Sequence, residues 1–98
     1  MIKRARPSPA AAEMLAVQAL AFIAEDPERM GAFLAATGIA PGAIREAARS
    51  PDFLAGVLEH MLADESLLVA FADSAGLDPA EIARARRALG GEWERDLP

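Results

Sequence analysis

Cysteine and tyrosine are absent from the 98 residues. The missing thiols exclude a disulfide scaffold, a thiolate metal site and cysteine catalysis together. β-Branched residues are scarce and no stretch alternates apolar and polar residues with period two, so strands have no support. Long hydrophobic runs are lacking as well. The best candidate, Met14 to Ile23, is broken by Gln18 and preceded by Glu13, and it falls short of the about 20 apolar residues of a bilayer span. Lys3, Arg4 and Arg6 precede this run in the manner of a signal peptide, but Pro7 and Pro9 intervene. The expectation is a cytoplasmic chain without membrane contact. An excess of positive charge is also missing: the net charge is −5, which argues against general nucleic-acid affinity while leaving room for a local basic patch.

What the chain does have is alanine. It supplies 24 residues, leaving 28 larger apolar ones to build a core. The length suits one small domain that buries about 60–65% of its unfolded surface, and an apolar content of 53% argues against disorder. The expected layout is a basic, flexible tail over 1–8, a helical domain over 9–93 and a short C-terminal tail over 94–98.

Helix punctuation fills the chain. Ser8-Pro9, Asp26-Pro27, Ser50-Pro51 and Asp78-Pro79 each set a cap oxygen before a proline that needs no N–H, the chemistry of a helix start. Asp64 can cap a further helix and Pro41 can open a short one. Gly38 and Gly76 follow apolar runs, where a left-handed residue ends a helix at little cost. These signals predict an all-α bundle of six helices over about 9–24, 27–37, 42–49, 51–63, 65–75 and 79–89. Phe53, Leu54, Val57, Leu58, Met61 and Leu62 make one buried face, and Leu67, Leu68, Phe71 and Ala75 another. Met30, Phe33, Leu34 and Thr37 do the same for the second helix, and Ile82, Ala85, Leu89 and Trp93 form a stripe on the last helix and just beyond it. The first helix differs. Met14, Leu15, Val17, Leu20, Phe22 and Ile23 point nearly all round it, which predicts a central helix covered by the others or by a partner chain.

An offset of 38 residues relates Leu20, Asp26, Phe33, Gly38, Pro41, Ile44 and Arg49 to Leu58, Asp64, Phe71, Gly76, Pro79, Ile82 and Arg87. Two three-helix units related by a duplication would produce this pattern; alanine-rich helices with glycine stops would also align this way by chance. The stretch from Gln18-Ala19-Leu20-Ala21-Phe22 to Asp26-Pro27-Glu28-Arg29, with Phe33-Leu34, Thr37-Gly38, Phe53-Leu54, Asp64-Glu65 and Ala75-Gly76-Leu77, resembles the bacterial domain of unknown function 3572 family, short alanine-rich helical proteins. The resemblance covers nearly the whole chain after residue 10. It implies a stand-alone helical domain and brings no activity, ligand or catalytic residue with it.

Chemistry-bearing residues are few. His60, the only histidine, lies between Glu59 and Met61 on a helix whose apolar residues face the other way, so a solvated imidazole is expected. Ser8 and Ser50 are explained by capping. No glycine-rich loop follows a strand, and the carboxylates do not have calcium-loop spacing. The reading contains no catalytic residue, no cofactor and no metal ligand.

Charge is distributed unevenly. Residues 50–78 carry six acids and no lysine or arginine, whereas Arg84, Arg86 and Arg87 cluster on the last helix. Two functions follow from this. The first is a non-catalytic protein-interaction module, self-associating as a homodimer, with Val69, Arg84, Arg87 and Trp93 as its surface and the acidic stretch meeting the arginine helix of a second copy. The alternative is a helix-turn-helix-like DNA-binding or regulatory protein using residues 68–89. There Ala72, Gly76 and Ile82 have the motif's spacing and Arg84 and Arg87 would lie on the following helix. Asp78 and Glu81 at that helix's first turn oppose a duplex, which makes nucleic acid the less favoured partner.

Overall fold

The computed structural model describes residues 7–89. Trp93, the Gly90-Gly91 stop, Lys3, Arg4, Arg6 and the tail over 94–98 lie outside the described residues. Every regular element within them is helical: α1 (Pro9–Ala24), α2 (Pro27–Thr37), a 3-10 turn (Pro41–Ala43) running into α3 (Ile44–Ala47), α4 (Pro51–Leu62), α5 (Glu65–Ala75) and α6 (Pro79–Leu89). The six expected helices are present.

The starts form as the sequence predicts. Ser8 Oγ accepts from the Ala11 N–H at 3.1 Å, Asp26 Oδ1 from Glu28 at 3.0 Å, Ser50 Oγ from Phe53 at 3.4 Å and Asp64 Oδ1 from Leu67 at 3.2 Å. At α6, Asp78 Oδ1 accepts from the Ala80 N–H at 2.9 Å while Glu81 Oε2 accepts from the Asp78 N–H at 3.1 Å, a reciprocal cap. The third helix has no such device. Ala40 before it offers no side-chain acceptor, and the expected helix over 42–49 contracts to a 3-10 turn and four α-helical residues. Gly38 (φ +73°) and Gly76 (φ +70°) close α2 and α5 in the left-handed conformation. Behind Gly76, the Leu77 N–H donates to the Ala72 carbonyl at 2.8 Å.

Three helices make the centre. α1, α4 and α6 pack against one another, α2 packs on α1, and α5 on α4. From α1 come Ala12, Ala16, Ala19, Leu20 and Ile23, all buried; from α4 come Leu54, Val57, Leu58 and Met61, and from α6 Ile82 and Ala85. Phe33 of α2 is fully enclosed, and Leu67, Phe71 and Ala72 of α5 complete the core. On α5 the buried alanine is Ala72 rather than the expected Ala75, because the helix turns Leu67, Phe71 and Ala72 inward as one face. Likewise Thr37 is exposed, its hydroxyl donating to the Phe33 carbonyl at 2.9 Å instead of joining the apolar stripe.

Full coverage of α1 is not observed. Its packing neighbours α2, α4 and α6 hold the side that carries the buried Ala12, Ala16 and Ala19, and Met14 and Val17 on the other side are 67% and 47% exposed. The 38-residue correspondence holds for matching local features: cap aspartates Asp26 and Asp64, buried Phe33 and Phe71, and left-handed Gly38 and Gly76. It fails at the third unit. Ile82 is buried in an 11-residue helix that packs on α1 and α4, whereas Ile44 is half-buried at the start of a four-residue one.

The glycines yield a test in which the sign of the effect reverses. No atom stands within 4 Å of a Cβ built at Gly38, Gly76 or Gly56, so backbone conformation decides the outcome. Gly38→Ala and Gly76→Ala, at positive φ, are each expected to lower stability by about 1 kcal/mol. Gly56→Ala, in the interior of α4 and exposed, is expected to raise it by about 0.5–1 kcal/mol. Urea unfolding followed by circular dichroism checks all three.

Candidate functional site

The residues singled out in the sequence do not come together at one place. Val69 stands on the outer side of α5, 47% exposed. Arg87 is exposed near the end of α6. Arg84 lies half-buried in a cleft between α1 and α6, of about 420 Å³, beside Met14, Leu15, Leu77 and Glu81. Trp93 is outside the described residues. The arginine cluster is also divided by its bonds. Arg86 reaches across to α4, where its Nε and Nη2 both donate to Glu59 Oε1 at 2.9 and 2.8 Å. One acid of the 50–78 stretch is therefore answered within the same chain, by a residue of the cluster expected to meet it from a second copy. Among the described residues, Arg84 and Arg87 form no ion pair.

His60 departs from expectation. It is half-buried, and its ring meets Phe33 edge-on, with centroids 5.1 Å apart and planes at 83°. α2 lies over this side of α4 and brings the enclosed phenyl ring of Phe33 against it, with Phe53 on Phe33 at 5.9 Å. The imidazole is part of an aromatic cluster that fastens α2 to α4. A second cluster fastens α1 to α5: Phe22 packs on Phe71 at 5.5 Å, and the Arg29 guanidinium sits over the Phe22 ring at 4.7 Å. The first engages the one histidine weighed for chemistry. Ser8 and Ser50 hold helix starts, and no group of three metal-ligating side chains occurs among the described residues. No described helix is long and apolar enough to cross a membrane.

The feature that periodicity did not single out is the outward side of α1. Ala10, Met14, Val17, Ala21 and Ala24 are all exposed and follow one another at intervals of four, three, four and three residues. The buried residues Ala12, Ala16, Ala19 and Ile23 of the same helix are spaced by four, three and four. Starting two residues apart, the two series lie about 200° apart around the helix. α1 is thus a helix with two apolar seams, one filled by α4 and α6 and one open. Met14 lines furrows on both sides of this open seam: the cleft toward α6 that holds Arg84, and a second toward α3 and α4 lined by Glu13, Val17, Ala48, Arg49 and Leu54. The signal was in the sequence, since the two interleaved series are what makes the helix apolar all round.

Comparison with known proteins gives a family and no activity. The family model described as protein of unknown function (DUF3572) matches residues 9–92. No curated protein and no solved structure matches the chain.

Among the described residues, the Arg86–Glu59 contact is the one ion pair that joins two helices. The Arg86 side chain is 26% and that of Glu59 66% exposed, so solvent screens the pair and its worth is small despite short bonds. A double-mutant cycle with Arg86→Ala and Glu59→Ala is expected to return a coupling of about 0.2–1 kcal/mol, declining with added salt.

Proposed function

The chain belongs to the DUF3572 family, proteins of unknown function, over residues 9–92, and we propose that it is a non-catalytic helical module that binds another protein through the outward seam of α1. One observation carries this reading: Met14 and Val17 stand open to solvent, 67% and 47% exposed, on a helix whose other side is fully packed. Exposed apolar residues are ordinary singly, but a ridge with a furrow on either side has the form of a helix-docking surface. The absence of catalysis in this reading is supported by the engagement of His60 with Phe33 and of the capping serines with backbone. The cytoplasm is its compartment. Affinity capture from the native cell tests the reading. A defined protein should be retained by the wild-type chain and lost with Val17→Glu at unchanged helicity; equal retention by both chains would overturn it.

DNA binding is the second reading, favoured by Arg84 and Arg87 standing three residues apart on α6 without ion-pair partners among the described residues. Against it, Asp78 and Glu81 occupy the first turn of that helix, where both carboxylates are engaged in its cap. A duplex approaching there would meet two negative charges. The expected result is no retardation of random duplex DNA at physiological salt. A clear shift abolished by Arg84→Ala with Arg87→Ala would favour the second reading over the first.

A further inference from the structure

Resting on the docking face proposed above, we infer that its occupant is a second copy of this chain, and that two α1 helices pair antiparallel about a two-fold axis passing between Met14 and Val17. The argument is symmetry within the seam. Ala24 at the end of the seam falls opposite residue 7, before the start of a partner α1. The four residues about the axis, Ala10, Met14, Val17 and Ala21, read small, large, large, small, at intervals of four, three and four residues, and both series are the same in reverse. An antiparallel copy therefore meets Met14 with Val17 and Ala10 with Ala21, on both sides of the axis at once. A closed two-fold interface demands such self-complementarity, because one patch must fit itself. An unrelated partner helix makes no such demand. The alanines at either end of the large pair also let two helix backbones approach closely.

Charge points the same way. The furrow beside Met14 and Val17 holds one acid, Glu13, and one base, Arg49. Arg49 is only loosely held within its own chain, 3.7 Å from Glu46 with both side chains about four-fifths exposed. A two-fold axis through the seam gathers two Glu13 and two Arg49 on one flank, so each copy's base finds the other's acid. The other flank brings together two Gln18 side chains, from the cleft that also holds Arg84. About this axis the two helices (Pro9–Ala24 in each copy) overlap over residues 9–22, a contact line of about 21 Å, and the furrow walls at Ala48 and Leu54 on one side and Leu77 on the other widen it.

Because the chain lacks cysteine, the geometry can be tested by disulfide trapping without background. Sedimentation equilibrium of the full chain should give twice the 10.3 kDa chain mass at tens to hundreds of micromolar. Val17→Glu should weaken the dimer at least about a hundredfold at unchanged helicity, while Val69→Glu, on the far side of α5, should leave it intact. Glu13→Arg should weaken it about tenfold, and adding Arg49→Glu should restore it. On oxidation, Met14→Cys mixed with Val17→Cys should cross-link faster than either variant alone. Preferential Met14→Cys self-linkage would mean parallel helices and would overturn the inference. So would dissociation by Val69→Glu instead of Val17→Glu. A monomer at millimolar concentration would also overturn it; if capture from the cell still depended on Val17, the interaction-module reading would survive with a different occupant, and otherwise both would fall.

Discussion

The bundle depends on how close α1 can come to α4 and α6. Ala12, Ala16 and Ala19 have no side chain beyond Cβ and are at most 1% exposed, so the neighbouring helices can rest near the α1 backbone. Larger residues then fill the space from the other side: Leu54, Val57, Leu58 and Met61 from α4 and Ile82 from α6. Each alanine contributes little apolar area of its own. Its role is to leave room, and the close packing of an interior makes that room specific. A methylene added at Ala16 would have to displace α4 or α6, at a cost of about 1–3 kcal/mol. The peripheral helices rely on this arrangement, since α2 docks on α1 and, through Phe33, on α4, while α5 docks on α4 and α6 and, through Phe71, on α1.

Local signals set where each helix begins and ends, and they are spread evenly along the chain. Five helix starts carry a side-chain acceptor on a backbone N–H, each worth about 1 kcal/mol. The exception is instructive. At Ala40-Pro41 the proline is present but the acceptor is missing, and the chain there makes the shortest and least regular helix of the six. Proline alone fixes one backbone angle; it does not satisfy the free N–H groups of the first turn.

Most of the fold was legible because caps, prolines, glycines and apolar spacing all act over three or four residues, and all agreed. The third helix is shorter than the 42–49 that Pro41 suggests, because no side-chain acceptor precedes that proline. The placement of His60 was missed for a different reason. Its neighbours Glu59 and Met61 say nothing about α2, and only the tertiary docking of Phe33 decides that the imidazole is half-buried. The arginine cluster was visible as composition, yet which arginine would find Glu59 depends on the register between α4 and α6. The open seam of α1 was present in the pattern as an apolar circumference. Resolving it into a filled side and an open one required knowing where α4 and α6 lie. Val69 stands on the outer side of α5, whereas Arg84 belongs to the α1 furrow rather than to a continuous basic surface.

The capped helix starts bear on how quickly the molecule meets others. A bare helix N-terminus is a local positive pole, and five of them would soften a net charge of −5. Here each is already answered by a serine or aspartate of the same chain. At a distance the body therefore presents a negative field with few positive relief points. Two such bodies repel once they come within about 8 Å at physiological ionic strength, salt screening them beyond that distance, and polyanions are turned away in the same manner. Encounter between two copies then proceeds without favourable long-range steering, at or below the about 10⁵–10⁶ M⁻¹s⁻¹ of unassisted docking, and added salt, by screening the repulsion, hastens rather than slows it. On the proposed reading, a partner is selected by residence time, through the fit of Met14 and Val17 once contact is made.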